Sequence, residues 1–435
     1  MKLGKMTDRE IKNQRIKDTL AKTREKRKTQ RCLVFELKLD SSHFNLKTKE
    51  ALKMMFVEAK WLYNFYLSQF YLSQEDIFKL DCKIDKVVHK DKDGNDVESE
   101  LRFLPAKYKS SVYEGLKNSI KALSSAKKKG KKVGKLRFKS QYNSIDLNQY
   151  KNTHKIISNN RIKIAGIKQH LKVFGLEQIK PEYEIANAKL LKKASGYYIK
   201  LTCFEFIKES IFTNEVKPDV GLDFGIKDSI ITSDGKKFKV SIEESEHLKK
   251  LQRKLAKATK GSNNWYKLKL QVQKEYEHIA NKRNDAGNKI VNFLLTNYSA
   301  VYFQDEMIQA WHHGGFGKQV QNSCLGRIKS KLKTSPNTVM IERSFPSTKL
   351  CLNCGALNKL SLADRTYKCD CGYEEDRDIK AAKTILHAGR CKINYVPTER
   401  RDFKPVENKT SASFDLSRGV SYGSAKQEAL AFRQG

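Results

Sequence analysis

The feature that most restricts how this chain can fold lies near its end. It is the pair of clusters Cys351-Leu-Asn-Cys354 and Cys369-Asp-Cys371, with a glycine after each (Gly355, Gly372). Two close pairs on two tight turns place four thiolates tetrahedrally around zinc at about 2.3 Å. Such a closed site leaves no open position for water, so it stabilises a small module and performs no catalysis. The other cysteines, Cys32, Cys82, Cys203, Cys324 and Cys391, are scattered and read as packed or free thiols. The first thirty residues show no apolar core of the secretory type. Without such a signal, paired cysteines bind metal more often than they form disulfides.

Charge narrows the partner. The 435 residues carry a formal net charge of +37, and only a long polyanion neutralises so many cations at once with counterion release. The length allows two to four domains, each with its own core. No apolar run reaches the ~18 residues of a spanning helix, so no membrane partner is expected. The expected location is the cytoplasm of a prokaryote, at the nucleoid.

Periodicity changes along the chain. Residues 32–39 alternate as a half-buried strand does. Leu52, Met55, Phe56, Ala59, Leu62, Tyr63 and Tyr66 then fall at helical spacing. Trp61 and Phe65 lie off that stripe and are expected to pack on a second helix. His89–Ser99 reads as a hairpin or helical connection, and Tyr108–Lys129 as a helix. The basic strip that follows offers Lys131, Lys132, Lys135, Arg137 and Lys139 to phosphates, with Phe138 between the last two. Short strands with glycine turns, from about 144 to 206, indicate a small barrel or sheet. Beyond them come three strands, two long basic helices bearing Arg253, Lys254 and Arg283, a strand ending in Gln304-Asp305-Glu306, a helix over 318–334, and a strand over 337–343.

Three acids stand out. Asp223 sits in the apolar strand "VGLDFGI", where a carboxylate is costly unless it meets a cation. In "AVYFQDE", alternation puts Gln304 and Glu306 on one face and Asp305 on the other. In "EDRDIKAAKTIL", Asp378, Ala381, Ala382 and Ile385 share one helix face, so Asp378 points inward and Asp376 serves as N-cap or first-turn acid. Two strand carboxylates and one helix carboxylate can converge on a pair of divalent cations, the arrangement that cleaves phosphodiesters.

The order of these pieces resembles the TnpB (OrfB) proteins of insertion-sequence transposons, relatives of the compact type V CRISPR effectors. "GLDFGIKDSIITSDG", "NKRNDAGNKI", "FQDEMIQAW" and "SFPSTKLCLNCG…YKCDCGYEEDRDIKAAKTI" carry it, most strongly over residues 216–390. The resemblance implies a multidomain α+β protein: a small β-barrel wedge domain with a helical recognition insertion, and an RNase H-like (RuvC) α/β nuclease domain with an inserted zinc module. The implied boundaries are a basic arm or helix over 1–31, wedge over 32–43 and 136–215, and recognition insertion over 44–135. The nuclease follows over 216–346 and 374–392, the zinc module over 347–373, and a polar, partly disordered tail over 393–435.

The implied function is an RNA-guided, Mg2+-dependent endonuclease that cuts double-stranded DNA beside a short flanking motif. Its guide RNA would be transposon-encoded or a CRISPR RNA, bound by a monomer or by a dimer on one RNA. The resemblance makes Asp223 and Asp378 the first and third magnesium-binding acids. The second is Glu306, with Asp305 as the alternate, because relatives' glutamate aligns with Gln304. It makes Cys351, Cys354, Cys369 and Cys371 the zinc ligands. Lys380 stands where relatives usually carry asparagine; it implies either a DNA-phosphate contact or a weakened nuclease. The other readings are a nuclease-inactive RNA-guided DNA-binding repressor of the same family and a guide-independent nucleic-acid-binding zinc protein.

Overall fold

The computed structural model describes residues 8–72, 84–91, 93–206, 217–312, 315–335, 337–361 and 364–391. Cys82 and the tail expected over 393–435 lie outside them. The chain forms two units, Met1–Ser210 and Ile211–Gly435, each a mixture of helices and sheets. Among the described residues no helix is long and apolar enough to cross a membrane.

In the first unit, α1 (Asp8–Lys28) leads into β1 (Gln30–Lys38) and α2 (Leu46–Leu72). The apolar stripe of α2 is buried from Leu52 to Tyr66 as its spacing requires. A hairpin of β2 (Lys86–Lys90) and β3 (Asp96–Glu100) precedes α3 (Ala106–Lys128). Trp61 stacks on His89 of β2, centroids 3.9 Å apart. Its partner is therefore a hairpin and not the second helix expected from sequence. The flat imidazole, held by Ser99 Oγ at 2.9 Å, supplies the packing surface. Glu58 is buried and accepts backbone N–H groups of Arg102, Phe103 and Leu104, which fixes the approach to α3.

The strands β4 (Ser144–Leu147), β5 (His154–Ser158), β6 (Arg161–Ile164), β7 (Leu171–Lys172), β8 (Glu184–Lys193) and β9 (Gly196–Phe206) complete this unit. They form two sheets, ordered β1-β9-β8-β4 and β5-β6-β7. A single bridge, Leu39 to Val173, joins the sheets, so the ladder is not one continuous barrel. One apolar core serves both sheets and both long helices α2 and α3.

The second unit is built on β10 (Val220–Phe224), β11 (Ile230–Thr232), β12 (Lys237–Phe238), α4 (Glu246–Lys257), α5 (Asn263–Asn297), β13 (Val301–Gln304), α6 (Gly317–Ser323), α7 (Leu325–Leu332) and β14 (Thr338–Ile341). Then come β15 (Thr366–Lys368), β16 (Glu374–Asp376) and α8 (Arg377–Arg390). The helix expected over 318–334 is two helices, broken at Cys324, whose left-handed backbone (φ 52°) turns the chain. The five-stranded sheet runs β12-β11-β10-β13-β14; β10, β13 and β14 are parallel, and β11 and β12 antiparallel.

Alternation along β10 and β13 divides the sheet between two cores. Leu222, Phe224, Val301 and Phe303 pack with Ile290, Val291 and Leu294 of α5. On the opposite face, Tyr302 packs with Ile385 and Ala388 of α8. Gly221 and Gly389 allow that helix to lie close. A Cβ on Gly389 would come within 2.1 Å of the Tyr302 ring. This close seat sets the N-terminus of α8 beside the end of β10.

Candidate carboxylate site and four-cysteine centre

Asp223 follows Gly221 by one strand period and so faces α8. Burial, then the charges of Asp378 and Glu306, push its carboxyl up to about 8, with Arg377 opposing them. The charges of Asp378 and Glu306 thus reach Asp223, although the three carboxylates do not form a set whose oxygens all lie within 4.8 Å of one another. Arg377 offsets part of that negative charge.

Asp378 lies in the first turn of α8, and Arg377 Nε stands 3.3 Å from its Oδ1. Asp376 caps the helix: its Oδ1 accepts the N–H of Asp378 at 3.0 Å and of Ile379 at 3.1 Å. Against the cost of burial, those two N–H groups hold Asp376 below the usual carboxylate range. Its expected capping role is what the geometry shows.

The strand β13 ends at Gln304, earlier than the alternation of "AVYFQDE" requires. Glu306 donates its N–H back to the Gln304 carbonyl at 2.8 Å, so a tight turn, and not a strand period, delivers Glu306. Burial raises its carboxyl, while Lys329 and Arg343 lower it. Asp305 turns the other way and pairs with Lys329 Nζ at 2.5 Å and Arg343 Nη2 at 3.0 Å. The Lys329 hydrogen bond chiefly holds it low.

Gln304 is 3% exposed. Its Nε2 donates toward the carbonyls of Glu342, Arg343 and Phe345, and its Oε1 accepts from Ser347 Oγ at 2.9 Å. It clamps the turn that follows β14. Lys380 is fully buried and donates to the carbonyls of Ser347 at 3.0 Å and Thr348 at 2.9 Å. A phosphate contact by Lys380 is therefore excluded: an ammonium with no exposed surface cannot reach DNA. Burial pulls it down to about 8, and the charges of Cys351, Cys369 and Glu375 hold it up.

Just beyond that turn stand the four cysteines. Among the described residues this is the one set of three or more metal-type ligands whose donor atoms all lie within 4.8 Å of one another. The Sγ of Cys351 and Cys371 are 3.7 Å apart, and those of Cys354 and Cys369 are 3.5 Å apart. Gly355 and Gly372 take left-handed backbone (φ 75° and 86°), which closes each turn. Asn353 N–H points at Cys351 Sγ from 3.4 Å. Four sulfurs so close, with N–H groups aimed at sulfur, fit a tetrahedral zinc ion and nothing harder. The hairpin β15–β16 carries the second cysteine pair and runs directly into α8.

The expected basic contacts divide. Lys131, Lys132, Lys135 and Arg137 are exposed in the first unit, and Arg253 and Lys254 are exposed on α4. Lys139 is half-buried, with Nζ 3.9 Å from the Tyr63 ring centroid and 4.3 Å from that of Tyr142. Arg283 is a packing clamp and not an open phosphate contact. Its Nε and Nη2 donate to the Ile242 carbonyl, and Nη2 also reaches Asn322 Oδ1 at 2.6 Å. Sequence reasoning missed the Gln304–Ser347–Lys380 network. Its only signal was Gln304, a polar residue on the Tyr302 face of its strand; helical spacing puts Lys380 off the face read as core.

Residues 205–305 match the family model OrfB of the IS605 group, described as "Probable transposase". Residues 326–385 match that described as "Cas12f1-like, TNB domain". A Streptomyces pristinaespiralis protein, "Putative RNA-guided DNA endonuclease", is 30% identical over 45% of this chain and 51% of its own length. Escherichia coli K12 "Putative RNA-guided DNA endonuclease InsQ" is 26% identical over 47% of this chain and 57% of its own. The chain thus spans about half the length of the curated relatives it matches. A solved Cas12f1–sgRNA–target DNA complex covers 79% of this chain and 83% of its own at 14% identity and a TM-score of 0.44, a likeness too weak to assign a fold.

Proposed function

We propose that this chain, a member of the TnpB (OrfB) family, is an RNA-guided endonuclease that cleaves double-stranded DNA beside a short flanking motif. The observation that carries the reading is that the charges of Asp378 and Glu306 act on the carboxyl of Asp223, a grouping of like charges that a divalent cation would relieve. The formal net charge of +37 supports a nucleic-acid partner. In this reading residues 216–346 and 374–392 are a RuvC-like nuclease and 347–373 a zinc module handling target nucleic acid. Residues 32–43 and 136–215 are the wedge, and 44–135 the recognition insertion. Lys131, Lys132, Lys135, Arg137, Arg253 and Lys254 are phosphate contacts.

Bound magnesium would supply the Lewis acidity for in-line hydrolysis of a phosphodiester. Asp223, Glu306 and Asp378 would hold it, the first from a strand, the second from a turn and the third from a helix start. The close packing of α8 on β10 fixes the spacing of Asp223 and Asp378. Arg377, beside Asp378, keeps a positive charge at the rim of the site, suited to a phosphate oxygen. Asp305 immobilises Lys329 and Arg343, so both cations stay near Glu306 without neutralising it. Gln304 and Lys380 are fully engaged inside the protein and leave the three acids in place.

The test is purification with the RNA that accompanies the chain, sequencing of that RNA, and challenge of a plasmid library bearing its complement with randomised flanks. Magnesium-dependent cutting at one flank is expected, and Asp223→Ala abolishes it while RNA stays bound. Site-specific binding without cutting in magnesium would replace the nuclease by a guided repressor. Binding that survives RNase would replace both by a guide-independent zinc protein.

A further inference from the structure

The buried ammonium of Lys380 is the least expected charge in the second unit. It is 0% exposed. Two of its three donors meet the carbonyls of Ser347 and Thr348, and its Nζ lies 4.0 Å from the centroid of the Tyr367 ring. No carboxylate of the described residues lies within ion-pair distance of it. Glu375, on the hairpin strand that leads into α8, is engaged by Lys383 and by the Tyr373 hydroxyl. A buried cation with only neutral partners is costly, and a nearby negative charge would offset that cost.

The four cysteines supply such a charge, and the segments that enter their two turns are the ones Lys380 touches. The Tyr367 hydroxyl donates to the Lys349 carbonyl at 3.2 Å, two residues before Cys351, and the ring belongs to the hairpin that carries Cys369 and Cys371. Four thiolates around one zinc keep a net charge of about −2. Lys380 is thus fixed to the residues that lead into the first cysteine pair and lies over the strand that leads into the second.

We propose that Lys380 is a positioning residue for the zinc centre: its ammonium balances the four thiolates, and its hydrogen bonds tie the segment entering the cysteine turns to the helix that bears Asp378. Ser347 is the joint. Its hydroxyl is bonded to Gln304 at the end of β13, and its carbonyl to Lys380 on α8. The segment entering the cysteine module is therefore held by the two elements that also flank the carboxylates. The inference rests on the zinc reading given above.

The experiment compares zinc binding by the full chain with Lys380→Met and Lys380→Gln, in competition with a chromophoric chelator. Methionine keeps the apolar stem and removes charge and hydrogen bonds. Glutamine removes the charge and keeps a donor for the carbonyls. Both should bind zinc roughly 10- to 100-fold more weakly, as loss of an outer-shell partner does. In cobalt-loaded protein, both should move the thiolate-to-metal charge-transfer band to lower energy, because sulfurs without a facing cation donate more readily. A Gln variant with wild-type zinc affinity and an unshifted band overturns the proposal and reduces Lys380 to a hydrogen-bonded strut. Wild-type chain that takes up no zinc overturns the zinc reading itself, a result visible before either variant is made.

Discussion

Gly221 lies so close beneath Ala382 that a Cβ on the glycine would stand 2.0 Å from the Ala382 carbonyl oxygen and 2.8 Å from the Leu386 nitrogen. Both are backbone atoms of α8 and cannot swing aside. Gly221→Ala must therefore lift the helix that carries Asp378 off the strand that carries Asp223. Overpacking of this kind costs about 1–3 kcal/mol. The expected outcome is a lower urea midpoint for the second unit together with a cleavage rate reduced by at least tenfold, roughly what a misplacement near 1 Å costs. An alanine variant that cuts at the wild-type rate would mean that this close seat does not set the spacing of the acids.

Asp305 and Glu306 are neighbours with opposite surroundings, and that separates their expected effects. Asp305 is tied to Lys329 and Arg343, whereas Glu306 is half-buried near Asp223 and, among the described residues, has no ion pair on its carboxylate. Glu306→Gln should lower the cleavage rate by at least about a hundredfold, as loss of a group acting on the transition state does. Asp305→Asn should lower it less than about tenfold. Rates measured with saturating guide RNA decide between them. A larger loss for Asp305→Asn would transfer the second position to Asp305.

Legibility followed periodicity. The stripe of α2, the strand around Asp223, and the Asp378–Ala381–Ile385 face of α8 were readable because a period of 3.6 or 2 reports which side is buried. The Asp376 cap was readable from its place before the first turn. What failed were statements that depend on where a regular element stops. Glu306 was placed by strand alternation, yet the strand ends two residues earlier. A helix over 318–334 was read through Cys324, where nothing but a left-handed residue marks the break. Arg283 reads as a phosphate contact, and Lys380 as either that or the mark of a weakened nuclease, because charge alone does not reveal which carbonyls a side chain will meet once the chain is folded. Trp61 was assigned a helix partner, and its flat partner is an imidazole twenty-eight residues away in sequence.

Magnesium should stabilise the second unit through Asp223. At ten times its dissociation constant, a ligand that binds only the native state adds about 1.4 kcal/mol. For a unit of this size that raises the melting temperature by roughly 3–5 °C. Asp223→Asn removes one carboxylate and the like-charge repulsion with Asp378 and Glu306. The metal-free variant should thus melt above the metal-free wild type, and magnesium should shift it by less than about 1 °C. Melting curves with and without magnesium test this, and an equal magnesium shift in both proteins would remove Asp223 from the cation site.

The first unit should carry its own acid sensitivity in His154. The ring is 2% exposed, its Nδ1 lies 3.2 Å from Thr153 Oγ1, and its Nε2 has no hydrogen-bond partner among the described residues. Burial pushes its pKa down to about 4 from an ordinary value near 6.5. The folded state therefore favours the neutral ring. The unfolded chain takes up the proton first as pH falls, so the stability held above pH 6.5 drains between about 6.5 and 4. The loss between pH 7.5 and 4.5 comes to about 2 kcal/mol, or roughly 5 °C in the melting temperature of a unit of this size. His154→Leu keeps an apolar side chain in the pocket and has nothing to protonate. Other groups titrate over the same range, so the quantity to read is the fall in melting temperature from pH 7.5 to 4.5 in wild type minus that in the variant. A difference near 5 °C is expected. A difference near zero would show that the unpaired nitrogen finds a partner in solution and that the acid sensitivity of this unit lies elsewhere.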